Sequence, residues 1–575
     1  MKRTVLIIAS LWLSISMLAQ QREYIWPKNK MPDASDKQIA AMTSDSRQPN
    51  FKPDKFRKPY LDWFDAPENP NGTCMILISG GAYNNTCDMS LIDLWHKELT
   101  ARGVQCVNFV YRTPRPEGLP YYKTAWEDGQ RAVRLVRSQA AKRGFDPDKI
   151  GVVGMSAGGH LSLLLAANSL TPAYDRIDKI DDIPCNVNIA ILNAPAYITS
   201  DADEFGTPAS RDGYGADVTL SSLFKFDENT CPMSMHHGGI DKYSPNGSTL
   251  LYRKLRSMGI PAELHLYPNK KHGAYGFDRA LEFLTQMGFL GPLEPEVKLM
   301  DRFTSDEDRA EYSKEFIWPE GKTPDFQENQ CVPYIEWHIP AVRKTDAIQI
   351  IYSGGGYSKN NPDGFEVAPA RRYLNAMGIT VVTLKYRTPR PEAPLAKHTT
   401  AWQDLQRTIR IVRSEAAEKG LDPNKIGIMG SSAGGHLTLL GVTSSRHKTY
   451  SRVDDLDKLP CNVQWGIGIY PAYALTDGID EHNTTGGNDD SAVLVPEFSF
   501  DLDTAPMLFI HGDADYWASM NSVKVWEKMR SMGIQSELHT LALRPHCFQR
   551  NASPGTGSYT WLDRIGEYLT NLLEL

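Results

Sequence analysis

A duplication constrains this chain more than any other feature. Glu23-Tyr24-Ile25-Trp26-Pro27 recurs as Glu315-Phe316-Ile317-Trp318-Pro319, and Ser79-Gly80-Gly81-Ala82-Tyr83 recurs as Ser353-Gly354-Gly355-Gly356-Tyr357. The heptapeptide from Tyr111 to Glu117 returns unchanged from Tyr386 to Glu392. Gly154-Met155-Ser156-Ala157-Gly158-Gly159-His160 returns as Gly430-Ser431-Ser432-Ala433-Gly434-Gly435-His436, and Ser257-Met258-Gly259-Ile260 as Ser531-Met532-Gly533-Ile534. The first pair is 292 residues apart and the later pairs 274 to 276, so the first copy carries about 18 extra residues, in the polar stretch 41–60. A period near 275 residues is a whole domain rather than a solenoid unit. The expected organisation is a leader over residues 1–19, one domain over 20–290, a linker over 291–313 and a second domain over 314–575. Glu, Asp, Lys, Arg and Pro crowd the linker, as suits an exposed connection.

Of 575 residues, 41% are hydrophobic and 23% charged, enough apolar surface for two sizeable cores. The net charge of −7 excludes a basic nucleic-acid binder and a polybasic membrane-surface protein. Lys2 and Arg3 precede an apolar run over 5–18 that ends in Leu18-Ala19-Gln20-Gln21. A basic head, a short apolar body and a small residue before a polar start describe a secretory signal peptide, so a periplasmic or secreted location is expected. No apolar run in the mature chain approaches the roughly 18 residues of a membrane span. The eight cysteines are sparse and lack metal-ligand spacing, so most are read as buried thiols, with Cys74–Cys87 as a candidate bridge. Nothing in the sequence fixes an oligomeric state.

Within the first copy, apolar β-branched runs alternate with helical spacing. Strands are expected at 74–78, 104–110, 150–153, 187–192, 233–236 and 262–267, and helices at 90–102, 125–143, 157–167, 248–257 and 277–287. This alternation predicts an α/β fold, with a mainly parallel sheet covered by helices on both faces in each copy.

Gly154-Met155-Ser156-Ala157-Gly158 lies between an expected strand and an expected helix, the context of a nucleophile elbow, and Gly430 to Gly434 repeats it around Ser432. A serine hydroxyl needs a base to take its proton. Asp241 and His272 follow Ser156, 85 and 116 residues on; Asp515 and His546 follow Ser432 at 83 and 114. Asp513 competes as the acid, but Gly239 stands opposite it in the first copy, so Asp515 is preferred. Backbone donors for an oxyanion are expected at Ala157 and at Gly80-Gly81 in the first copy, and at Ala433 and Gly354-Gly355 in the second.

Other polar residues receive structural readings. His160 and His436 sit on helices that point them away from the serines, and His236, His237 and His511 precede the acids as framework residues. Arg112, Arg115, Arg387 and Arg390 are read first as loop anchors and second as substrate contacts. The acidic stretches 199–229 and 475–503 lie where pocket walls are expected, though a solvated loop fits them equally.

On these residues each copy resembles the alpha/beta-hydrolase superfamily, and within it the esterase/lipase branch that includes bacterial acetyl-xylan and feruloyl esterases. The most specific stretch runs from Asp146-Pro147 to Leu161, with Asp422-Pro423 to Leu437 as its twin. The resemblance implies catalytic roles for Ser156, Asp241, His272, Ser432, Asp515 and His546, and acyl transfer with no metal and no organic cofactor. It further implies an exported serine ester hydrolase acting on ester-decorated plant glycans or small esters. The alternatives are a serine peptidase of the same fold, or one active domain beside a catalytically silent binding domain. Two departures from the family pattern stand out: Ala82 replaces the last glycine of the oxyanion turn, and Cys547 follows the second base where glycine is usual.

Overall fold

The computed structural model describes residues 21–34, 58–86, 89–201, 218–291, 314–476, 492–552 and 554–575. The expected leader, nearly all of the linker, Cys87 and the middle of both acidic stretches lie outside the described residues. Contacts group the chain into two compact units, residues 1–233 with 288–291, and residues 234–287 with 292–575. The second unit therefore takes in the last strands and helices of the first repeat.

The first unit holds strands β1 (Gln21–Tyr24), β2 (Tyr60–Trp63), β3 (Cys74–Ile78), β4 (Gln105–Val110), β5 (Ile150–Met155) and β6 (Ile189–Asn193). Their order is β1-β2-β4-β3-β5-β6, with β3, β4, β5 and β6 parallel and β1 and β2 antiparallel at the edge. Every residue of β3, β4 and β6 is buried, which is why these strands are continuous apolar runs rather than alternating ones. The helix Ala157–Ala167 is buried along its whole length and, apart from His160 and Ser162, carries only apolar or small residues, as a helix inside a core must. The helix expected over 125–143 is interrupted at Gln139 and appears as Lys123–Ser138 followed by the single turn Ala140–Arg143.

The second unit begins with β7 (Met233–Gly238), whose first residue lies at the boundary, and β8 (Ala262–Tyr267). It continues with β9 (Glu315–Phe316), β10 (Tyr334–His338), β11 (Ile348–Tyr352), β12 (Thr380–Lys385), β13 (Ile426–Ser431) and β14 (Trp465–Ile469). A separate two-stranded ladder, β15 (Leu475–Thr476) with β16 (Val493–Leu494), opens the second acidic stretch. The last strands are β17 (Met507–Gly512) and β18 (Glu537–Leu541). The parallel part runs β12-β11-β13-β14-β17-β18, antiparallel β10 and β9 flank it on one side, and β8 pairs antiparallel with β18 on the other. One core of this unit joins Trp465, Ile467, Leu508 and Ile510 on the strands to Trp561, Leu562 and Ile565 on the helix Trp561–Leu573.

The recurring Trp-Pro and Tyr-Arg-Thr-Pro motifs meet in each unit. Trp26 Nε1 donates to Asp128 Oδ1 at 2.6 Å, and the same carboxylate takes the Nε and backbone N–H of Arg112 at 2.9 and 2.8 Å. Trp318, Asp404 and Arg387 repeat this, with Trp318 Nε1 at 2.7 Å and the Arg387 donors at 3.0 and 2.8 Å. Both ion pairs are buried, and each charge has fixed partners that replace water. Arg112 and Arg387 are thus anchors that tie the N-terminal segment of a repeat to its long helix. Cys74 carries a free buried thiol rather than a bridge, consistent with a side chain enclosed in β3.

Candidate active site

At the end of β13 the chain makes a sharp turn into the helix Ala433–Thr443. Ser432 occupies that turn at φ 55° and ψ −120°, a region that costs a non-glycine residue of order 1–3 kcal/mol. The flanking glycines are a steric requirement: a Cβ on Gly430 would stand 2.4 Å from the Gly434 carbonyl oxygen, and one on Gly434 would stand 2.6 Å from that of Ser353. Strand and helix could not approach with larger residues there. Ser156 adopts the same turn after β5, at φ 56° and ψ −119°.

In the second repeat the spacing drawn from sequence closes into contact. His546 Nε2 lies 2.8 Å from Ser432 Oγ, and His546 Nδ1 lies 2.7 Å from Asp515 Oδ2. A carboxylate beside Nδ1 holds the proton there and leaves Nε2 as the acceptor that faces the serine hydroxyl. Asp515 also takes the backbone N–H of Trp517 at 2.8 Å and has His511 Nε2 at 3.2 Å. Burial pushes this carboxyl up, but the hydrogen bonds and charges of His511 and His546 overcome it and hold Asp515 well below the ordinary carboxylate range. Asp513 points elsewhere, to Tyr252 Oη at 2.8 Å and Arg256 Nη1 at 2.5 Å.

The matching acid and base of the first repeat also meet. His272 Nδ1 lies 2.8 Å from Asp241 Oδ2, with His237 Nε2 at 3.3 Å and the Tyr243 N–H at 2.8 Å on the same carboxylate. Asp241, like Asp515, is pushed up by burial and pulled further down by its two histidines. Ser156 belongs to the first compact unit, and Asp241 and His272 to the second.

His160 and His436 are buried framework residues, each with Nδ1 2.7 Å from a tyrosine hydroxyl, Tyr83 and Tyr357 respectively. Burial lowers the pKa of His160 to about 3 and that of His436 well below its ordinary value, so both are neutral. Arg115 donates to the Ala82 carbonyl at 2.8 Å and the Tyr197 hydroxyl at 3.0 Å, which makes it a loop anchor as well.

A cleft of about 510 Å³ opens over Ser432 and His546, walled by Gly355, Tyr473, Trp517 and Glu366 among others. Glu366 is a residue that local sequence patterns miss. Its carboxylate takes the Gly354 N–H at 2.8 Å, and the Tyr470 hydroxyl stands 2.9 Å from its other oxygen. Of the glycine pair expected to face an oxyanion, Gly354 therefore spends its N–H on Glu366, while Gly355 lines the cleft at φ +105°. The mismatch between repeats was the available signal: Leu91 stands at the position of Glu366 and Ala194 at that of Tyr470. The two departures from the family pattern both sit at positive φ, Ala82 at 54° and Cys547 at 58°, where glycine would be unstrained. Among the described residues, no group of three His, Cys, Asp or Glu could hold a metal ion.

Comparison with known proteins gives a family match and several partial likenesses. Residues 62–191 and 336–529 match the family model described as BD-FAE. Endo-1,4-beta-xylanase B of Butyrivibrio fibrisolvens is 30% identical over 205 residues, covering 35% of this chain and 32% of that one. Acetylxylan esterase of Xylanibacter ruminicola is 37% identical over 97 residues, covering 16% of this chain and 18% of that one. The chain thus spans less than a third of the length of either curated relative. Among solved structures, an acetyl ester-xyloside bifunctional hydrolase from Caldicellulosiruptor lactoaceticus aligns with TM-score 0.38 and 22% identity over 45% of this chain and 96% of that one. With parallel sheets, a serine at the strand-to-helix turn of each repeat, and a family match across more than half its length, this chain belongs to the BD-FAE family.

Proposed function

We propose that the chain is an exported serine carboxylic-ester hydrolase that removes acetyl or hydroxycinnamoyl groups from plant polysaccharides. In this reading each repeat is one hydrolase domain, 20–290 and 314–575, joined by 291–313. Ser432, His546 and Asp515 form one triad and Ser156, His272 and Asp241 the other. The observation that carries it is the unbroken chain from Ser432 Oγ to His546 Nε2 at 2.8 Å and from His546 Nδ1 to Asp515 at 2.7 Å.

His546 Nε2 takes the serine proton as Oγ attacks the ester carbonyl. The carbonyl oxygen becomes an oxyanion in front of the Ala433 N–H, which opens a helix, and the Gly355 N–H beside it. Asp515 stabilises the imidazolium that forms. The imidazolium then gives its proton to the departing alcohol, and water repeats the attack on the acyl-enzyme. The aromatic walls at Tyr473, Tyr516 and Trp517 suit a sugar ring or a cinnamoyl ring. The xylan-related names of the relatives support the glycan assignment. The leader over 1–19 supports export, and no helix among the described residues is long and apolar enough to cross a membrane.

The test is release of acetate and of ferulate from decorated xylo-oligosaccharides by the wild type, Ser156→Ala, Ser432→Ala and the double variant. Turnover by both single variants and loss in the double is expected. No turnover of any ester by the folded wild type would overturn the hydrolase assignment. Activity abolished by one single change alone would make the other repeat the silent domain.

A further inference from the structure

The second compact unit brings residues 234–287 of the first repeat against the second repeat, and the contacts are reciprocal. β8 and β18 pair antiparallel with His265 opposite His539 and Leu266 opposite Leu538. His265 and His539 are equivalent positions, 274 residues apart, and their Nδ1 atoms lie 2.9 Å from each other. Each imidazole reaches back to the glutamate two residues before it, His265 to Glu263 at 3.0 Å and His539 to Glu537 at 2.7 Å. Three links need three protons. Two neutral imidazoles supply two, and the third resides on a carboxyl group. Burial pushes Glu263 up to about 8 and Glu537 up to about 7, and it drives both histidines well below their ordinary range.

The flanking pairs repeat the same reciprocity. Arg256 donates to the main-chain carbonyl of Asp513, and Arg530 donates to that of Gly239; 274 residues separate both 256 from 530 and 239 from 513. Arg279 meets Glu567 at 2.6 Å and Arg564 meets Glu282 at 2.5 Å; 285 residues separate the members of each equivalent pair. When residue i touches j′ and i′ touches j, the interface is isologous, the signature of a two-fold dimer. One pair breaks the likeness. Arg253 and Glu527 are equivalent positions, 274 apart, and they form an ion pair with each other. In a like-with-like pair, two arginines or two glutamates would face each other there.

We infer that β8 to β18, with the helices beside them, is a dimer interface internalised by duplication, which binds the two repeats to each other without the linker and selects unlike halves through Arg253 and Glu527. Chain continuity through Met233–Ser234 carries the rest of the first repeat with the seam. The selection follows from charge: a like pair keeps the reciprocal hydrogen bonds but places equal charges together in a partly buried site.

The test uses the full mature chain with a specific-protease sequence inserted after Ser305 and cut after folding. Size-exclusion with light scattering at 1 µM is expected to show both fragments co-eluting at the mass of the uncut chain, and native mass spectrometry to show one of each fragment. Separate elution of the fragments would overturn the interface. Homodimers of either fragment at comparable abundance would overturn the selection. Arg253→Glu in the cut chain is expected to weaken association about 10- to 100-fold. Adding Glu527→Arg, which restores opposite charges, is expected to recover it. Failure of the charge swap to recover association, with both fragments folded by circular dichroism, would remove the role given to this pair.

Discussion

The Ser156 and Ser432 turns coincide within a degree in φ and ψ, yet the residues around them diverge. The second site has Glu366 on the Gly354 N–H and Tyr470 against His546, at a ring separation of 4.7 Å. The first has Leu91 and Ala194 at those positions. Tyr243 packs on His272 at 4.9 Å, whereas in the second site Tyr516 packs on His546 at 5.0 Å and Trp517 walls the cleft. The elbow tolerates nothing but small residues, because strand and helix backbones are in contact there. The walls are side chains such as Tyr473 and Trp517, which pack on one another rather than on the elbow backbone. The two repeats thus share the geometry of the turn and differ in the side chains around it.

The comparison breaks most visibly at the nucleophiles. Ser156→Ala with Ser432→Ala is expected to reduce kcat on the order of 10⁶-fold, while each single change leaves the other repeat working with its own ester preference. Identical substrate profiles in the two single variants, measured across acetyl and feruloyl esters, would show that the different walls do not select. The shared anchors predict a large cost in both halves, greater in the first, where Arg112 also meets the buried Glu127 at 2.7 Å while Arg387 meets Gln403. Arg112→Met and Arg387→Met each leave a buried aspartate without its partner, an expected loss of about 3–5 kcal/mol in denaturant unfolding. An unchanged unfolding midpoint in either variant would mean that this repeat does not depend on its Trp-Asp-Arg anchor.

Glu366→Leu makes the second site resemble the first. It frees the Gly354 N–H and removes a carboxylate from the cleft. In a Ser156→Ala background, kcat is expected to shift about 10-fold with KM for a small ester little changed, because the group acts through the oxyanion turn. An unchanged kcat would restrict Glu366 to packing.

The smallest effect separates Glu263 from Glu537. Both pKa values are raised in the folded state, so each carboxyl keeps its proton there at a pH where the unfolded chain has lost it. Their contribution is intact below the ordinary value near 4.5 and is lost as pH rises, through about 7 for Glu537 and about 8 for Glu263. Of the groups that face the same cluster, burial lowers His236 to about 3 and also lowers Arg564, Arg279 is raised against its burial by Glu282 and Glu567, and Glu282 is lowered against its burial by Arg564 and Arg279. Thermal unfolding is expected to show the melting temperature falling from about pH 5 to about pH 8. Glu263→Gln should flatten that slope more than Glu537→Gln.

Local rules act over a few residues, and where they apply the sequence alone was enough. The spacing of glycines around Ser156 and Ser432 demands a tight turn, and the apolar runs at 74–78, 157–167 and 262–267 become elements with those same bounds. The repeat ranked Asp515 over Asp513 by setting Gly239 opposite the latter, and Asp515 is the one beside His546. Helix ends were less legible, since no proline or glycine marks the break at Gln139. Three features were decided only by tertiary structure: Glu366 on the Gly354 amide, Trp26 and Arg112 sharing Asp128, and His265 meeting His539. Each joins residues 12 to 274 positions apart, or opposite copies of one motif, whose neighbours carry no sign of the partner. Periodicity tells a strand or helix which of its faces is apolar. Which charged or polar group waits opposite is fixed only when those faces meet, because burial then requires every such group to find a partner.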